Sequence, residues 1–184
     1  MVAVLRTNTK RVPESRGDSK ESNMSVEYPR SEYMEHANMT TSCIESTKRF
    51  LLTAFPHWRV RGNGTNVKPE YTRQWMHVGS DVYYVALESA QRREPQRRRP
   101  YYDIGINHIG FVVTEALHEI KERLLKAGYP EGIKAAPHPY RSRMYFYDGV
   151  GNEFEFVQYH THKANERNDY TIDKEAQQQK KSKL

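Results

Sequence analysis

Apolar residues recur along this chain in two registers, every second position and every third or fourth, and the registers alternate in a fixed order. "YMEHANMTTS" (33–42) alternates like a strand. "IESTKRFLLTAF" (44–55) places Ile44, Phe50, Leu51, Leu52 and Phe55 near helical spacing, with Ser42 as its cap and Glu45 three residues on in a capping-box pattern. "HWRVRG" (57–62) is a short strand ended by Gly62, with "GNGTN" as a loop. "RQWMHVG" (73–79) and "VYYVALES" (82–89) predict a hairpin across Ser80-Asp81. The order then returns. "GINHIGFVV" (105–113) is a strand, and "EALHEIKERLLKAGY" (115–129) is a helix with Leu117, Ile120, Leu124 and Leu125 on one face, stopped near Gly128. "GIKAAPHPY" (132–140) is extended and proline-interrupted, and "RSRMYFYD" (141–148) and "NEFEFVQY" (152–159) are strands.

The chain is therefore a divergent internal repeat of βαβββ units, an α+β fold in which two modules pair into one cupped mixed sheet. Setting "EHANMT" on "NHIGFV" pairs His36 with His108. Setting "YYVALES" on "NEFEFVQ" lays Tyr84, Val85, Ala86 and Leu87 on Glu153, Phe154, Glu155 and Phe156. The predicted organisation is a polar extension over 1–31 and a single domain over 33–160. That domain divides into a first module (33–90), a basic linker (91–103) and a second module (104–160), and a polar tail follows over 161–184.

Composition supports this division. Only 36% of the 184 residues are hydrophobic and the mean hydropathy is −0.93, so the polar residues concentrate outside the core. The net charge of +6 is largely local, in "RREPQRRRP" (92–100) and the closing "KKSKL". Blocks of like charge are commonly solvated, and no nucleic-acid signature accompanies them, so a specific nucleic-acid partner is not expected. Cys43 is the one cysteine. It rules out a disulfide within the chain and reads as a small packed residue. No run is long enough for a membrane span, and no secretory leader is recognisable. A cytoplasmic location is expected, or a peroxisomal one in a eukaryote, because Ser182-Lys183-Leu184 matches a peroxisomal address.

His108 is the first candidate for chemistry. A histidine inside an apolar run is ordinarily a satisfied core residue. Its recurrence at the register of His36 argues instead for a ligand. In a strand alternate residues share a face, so His36, Asn38 and Thr40 lie together, as do Glu153 and Glu155. Two imidazoles and one carboxylate on a rigid sheet, with open positions, form a facial set that suits a divalent metal. Spacing alone leaves the choice between the two glutamates open. Trp75 and His77, on a central strand, read as packing.

The doubled βαβββ pattern, a histidine on each first strand, and "MYFYDGVGNEFEFVQY" resemble the vicinal oxygen chelate superfamily, which includes glyoxalase I, bleomycin-resistance and fosfomycin-resistance proteins and extradiol dioxygenases. Asp148, Gly149, Gly151, Asn152 and Glu155 carry the most specific part of that resemblance, which covers about 33–160. It implies a glyoxalase-like fold with metal ligands at His36, His108 and Glu155, and it puts Ala86, which cannot bind metal, at a fourth ligand position. A three-ligand set is similar to that of the dioxygenases and fosfomycin-modifying enzymes. The implied cofactor is a divalent ion (iron, manganese, zinc or nickel), and the implied substrate is a small molecule with adjacent oxygens. The reaction class stays open among lyase or isomerase, dioxygenase and transferase. "PHPYRSR" (137–143) offers His138, Tyr140, Arg141 and Arg143 as proton carrier and anion clamp. A homodimer is compatible with this reading. Two alternatives stand beside it: a metal-free sequestration protein of the bleomycin-resistance type, and an interaction module that works through its arginines.

Overall fold

The computed structural model describes residues 33–90, 101–102 and 105–171. The extension over 1–31, most of the basic linker and the C-terminal tripeptide lie outside these residues. The described elements run β1 (His36–Thr41), α1 (Ile44–Ala54), β2 (Arg59–Lys68), β3 (Tyr71–Gly79), β4 (Tyr84–Ser89), β5 (His108–Val112), α2 (Leu117–Lys126), β6 (Arg141–Tyr147), β7 (Glu153–Tyr159) and α3 (Ala164–Arg167). The fold is α+β, with two sheets of mixed strands. The first sheet has the order β1-β4-β3-β2 and the second β5-β7-β6. They are separate in hydrogen bonding, so the chain's own β1 and β5 are not joined into one continuous sheet.

The second module has one strand fewer than the first. In place of a further strand, Glu131 bridges Phe146 and Gly132 N–H donates to the Tyr145 carbonyl at 2.6 Å. Pro137 and Pro139 lack the N–H donors a longer ladder needs. The predicted "GNGTN" loop is instead the middle of β2. Gly62 and Gly64 face His77 and Trp75 across the β2–β3 ladder. A Cβ on Gly64 would stand 2.9 Å from the Trp75 indole nitrogen, so the glycine serves ring packing rather than a turn. Helix α1 starts after Cys43 without a side-chain cap, so the predicted capping box does not form, and Cys43 is exposed rather than packed. Helix α2 ends as predicted. Gly128, at φ +83°, donates to the Leu125 carbonyl and Tyr129 to the Leu124 carbonyl, at 2.9 and 3.0 Å, which is a Schellman closure.

One face of each sheet is apolar, and both apolar faces bury against α1 and α2. Phe50 of α1 stacks on Phe154 at 4.9 Å and meets Tyr129 edge-on at 4.9 Å. Phe146, Phe156, Ile120, Leu124, Val85 and Leu87 complete a fully buried cluster. Leu125, placed on the apolar face by its spacing, is largely exposed.

The Asp148–Asn152 turn is the seam between the modules. Asp148 is 3% exposed. It accepts from Thr47 Oγ1 of α1 at 2.6 Å, from Asn152 N and Nδ2 at 2.8 Å each, and from Val150 N at 3.0 Å. Gly151, at φ +90°, closes the turn. Replacing Asp148 by Ala strands these donors. Asp148→Ala is therefore expected to cost about 3 kcal/mol and to lower the melting temperature by roughly 10 °C, read by thermal denaturation. A shift under about 2 °C would show that the seam does not depend on this carboxylate.

Candidate functional site

The registers of the two parallel ladders reproduce the sequence repeat. His36 lies beside Tyr84, and Asn38 beside Ala86, in the first sheet. His108 lies beside Glu153, and Gly110 beside Glu155, in the second. Ala86 therefore occupies in module one the place Glu155 holds in module two. In the second sheet the face away from the core carries His108, then Glu153 and Glu155, then Arg143, Tyr145 and Tyr147, by alternation along paired strands.

His108 and Glu155 are brought together: Nε2 stands 3.1 Å from Oε2. The other carboxylate oxygen, Oε1, accepts from the Tyr145 hydroxyl at 2.6 Å. Burial, and then this hydrogen bond, push the Tyr145 phenol well above its ordinary pKa, so it stays a donor at neutral pH. Gly110 leaves room for the carboxylate, since a Cβ there would stand 3.3 Å from Glu155 Oε2.

On its far side, His108 Nδ1 meets the Tyr101 hydroxyl at 3.3 Å, and that hydroxyl donates to Glu153 Oε2 at 2.8 Å. Burial and Glu153 push the Tyr101 pKa up to about 12. Tyr101 thus links the His108 ring to the buried Glu153 carboxylate. His108 Nε2 and Glu155 Oε2 stand at hydrogen-bonding distance, one imidazole nitrogen and one carboxylate oxygen side by side on the open face of the sheet.

Tyr101 sits at φ +69°, a conformation that costs a tyrosine energy and is held by its surroundings. Neither Tyr101 nor Tyr145 was found by sequence reasoning. Tyr101 lies within the basic linker, and Tyr145 looks like an ordinary strand residue. Its in-register position across from Glu155 is the one signal that could have singled it out. Glu153 also belongs to this cluster, but is 2% exposed and holds Tyr101 rather than the gap beside His108.

His36 is elsewhere. Its Nδ1 contacts Glu35 Oε2 at 3.0 Å and its ring stacks on Tyr84 at 4.8 Å. Among the described residues no three His, Cys, Asp or Glu side chains are close enough to hold a metal ion, so one chain does not bring His36 to His108 and Glu155. The four "PHPYRSR" residues also divide. Arg143 shares the Glu155 face and acts electrostatically on Tyr145. His138 Nε2 reaches the Asp169 carbonyl at 3.1 Å, and the Tyr140 carbonyl accepts from His160 N–H at 2.9 Å. Arg141, 5% exposed, donates to the Arg167 carbonyl at 3.0 Å. These three bind the C-terminal segment, and none of these contacts involves the His108–Glu155 pair.

No family model and no curated protein matches the chain. Solved structures do. A manganese complex of the fosfomycin resistance protein FosX from Listeria monocytogenes, with 1S,2S-dihydroxypropylphosphonic acid, is 17% identical with a TM-score of 0.54, over 74% of this chain and 98% of that one. FosX from Mesorhizobium loti is 24% identical with a TM-score of 0.52, over 74% and 96%. A glyoxylase/bleomycin resistance/dioxygenase domain from Frankia sp. EAN1pec is 17% identical with a TM-score of 0.57, over 70% and 98%. The chain has the fold of the vicinal oxygen chelate superfamily, as the sequence resemblance implied.

Proposed function

We propose that the protein is a metal-dependent enzyme of the vicinal oxygen chelate type, acting on a small substrate with adjacent oxygens. The observation that carries the reading is the His108 Nε2–Glu155 Oε2 approach at 3.1 Å, with each partner oriented by a tyrosine. His108 and Glu155 would hold a divalent ion, and His36 of a second copy of the chain would complete the set. Glu35 engages His36 Nδ1 much as Tyr101 engages His108 Nδ1, so both rings offer Nε2. When bound, the ion would supply Lewis-acid polarisation of two adjacent substrate oxygens. The remaining work belongs to the chain. Tyr145 fixes the carboxylate, Tyr101 and Glu153 hold the imidazole in place, and Arg143 adds positive charge where an anionic oxygen would gather. Among the described residues one chain does not assemble a complete ligand set, which favours the second reading, a metal-free binding protein.

Metal titration separates the two. With manganese or zinc, Glu155→Ala is expected to abolish binding, since the remaining ligands are neutral imidazoles. Tyr145→Phe, which leaves Glu155 in place without its donor, is expected to weaken binding roughly 10-fold. A parent protein that takes up no metal by calorimetry and by elemental assay would establish the sequestration reading instead.

A further inference from the structure

The open face of the first sheet carries a feature that the metal pair does not use. His36 stacks on Tyr84 with centroids 4.8 Å apart, Tyr84 lies 4.5 Å from His77, and His77 lies 5.0 Å from Trp75. Four rings thus run unbroken across β1, β4 and β3. The row ends over β2, where a Cβ on Gly64 would stand 2.9 Å from the indole nitrogen of Trp75 and 3.0 Å from two of its ring carbons. The indole rests on bare backbone. Beside it opens a pocket of about 250 Å³, lined among others by Asn38, Asn66, Trp75, His77, Ala86 and Glu88. Trp75 and His77 pack against their neighbours and also border this pocket.

Charge in the pocket is cancelled. Glu88 is bridged by Arg73 at 2.6 Å and approached by the Asn38 amide at 3.4 Å. Burial, then Arg61 and His36, hold the His77 imidazole below its usual pKa, so the ring is neutral at pH 7. Among the described residues no lysine or arginine lines the pocket, which disfavours an anion. Ala86, the counterpart of Glu155, contributes only a methyl group to the pocket lining. Flat walls, amide groups and no net charge suit a flat, uncharged guest.

We propose that this face binds a neutral planar aromatic molecule of one or two rings, stacked on Trp75 and His77 with its polar edge toward Asn38 and Asn66. The row and its pocket lie on the first sheet and the His108–Glu155 pair on the second; His36 belongs both to the row and to the proposed ligand set, so binding is tested without metal. Its test uses the full ¹⁵N-labelled chain with a chelator present throughout, following the two indole N–H resonances. Trp58, 5% exposed in the core, is the internal control. Titration with 2-naphthol is expected to shift the Trp75 resonance saturably and leave Trp58 still. Decahydro-2-naphthol, of similar size but not flat, and naphthalene-2-sulfonate, flat but anionic, are expected to bind at least about tenfold more weakly. Trp75→Ala, followed by calorimetry, and Ala86→Leu, which fills the pocket while keeping the rings, are each expected to weaken 2-naphthol binding about tenfold. A Trp75 resonance that 2-naphthol does not move, equal binding of the saturated alcohol, or unchanged affinity in the folded variants would overturn the proposal.

Discussion

Mixing two inactive variants is expected to restore metal binding. His36→Ala keeps His108 and Glu155 but has no third ligand to lend, and Glu155→Ala keeps His36 but has no carboxylate. Each alone should bind manganese at least about 100-fold more weakly than the parent. In a two-fold dimer with reciprocal sites, a mixed pair rebuilds one complete site from His108 and Glu155 of the first variant and His36 of the second. Random pairing makes about half the dimers mixed, so about a quarter of the parent's sites should return. Co-expressed chains, followed by metal stoichiometry, provide the readout, and it requires no known substrate. Full binding by His36→Ala alone would remove His36 from the ligand set. No recovery in verified mixed dimers would confine the site to one chain, contrary to the proposed assembly.

Ending the chain after His160 is expected to destabilise the protein by about 3 kcal/mol, whereas ending it after Thr171 is expected to leave the melting temperature within about 2 °C. The polar tail expected from residue 161 begins, in the described residues, as a fastened segment. The buried Arg141 guanidinium donates to the Arg167 carbonyl at 3.0 Å and lies 5.1 Å from the Tyr170 ring centroid. Arg167 in turn covers Tyr159 at 4.0 Å, and His138 holds the Asp169 carbonyl. A charge-assisted bond and two cation–π contacts are lost together on truncation. Arg141→Ala in the full chain should reproduce most of the loss and make the bonds after Lys163 and Arg167 sensitive to trypsin. Equal melting temperatures for the two truncations would show that the strap contributes nothing to stability.

Local pattern determined a good deal of this protein. Period-two alternation marked most of the strands, and helical spacing with a terminal glycine marked α2, because these signals depend only on near neighbours and one apolar face. The repeat even set the registers. The ladders set Tyr84 beside His36 and Glu153 beside His108, the pairs the repeat lays on each other, because a one-residue slip would turn every core side chain outward. Glycine was less legible. "GNGTN" has the composition of a loop, yet its glycines lie inside β2, because Trp75 on the neighbouring strand needs the space above them. Arg141 and His138 looked like site residues because charge and imidazole beside prolines look the same whether they serve a ligand or a strap. Which partner they meet depends on where a segment some 25 residues downstream folds back. The largest decision was tertiary: the sequence put two equivalent histidines on two equivalent strands, but packing through Phe50 and the Asp148 seam leaves β1 and β5 in separate sheets. That arrangement, set by contacts far apart in the chain, is why His108 meets Glu155 and His36 does not.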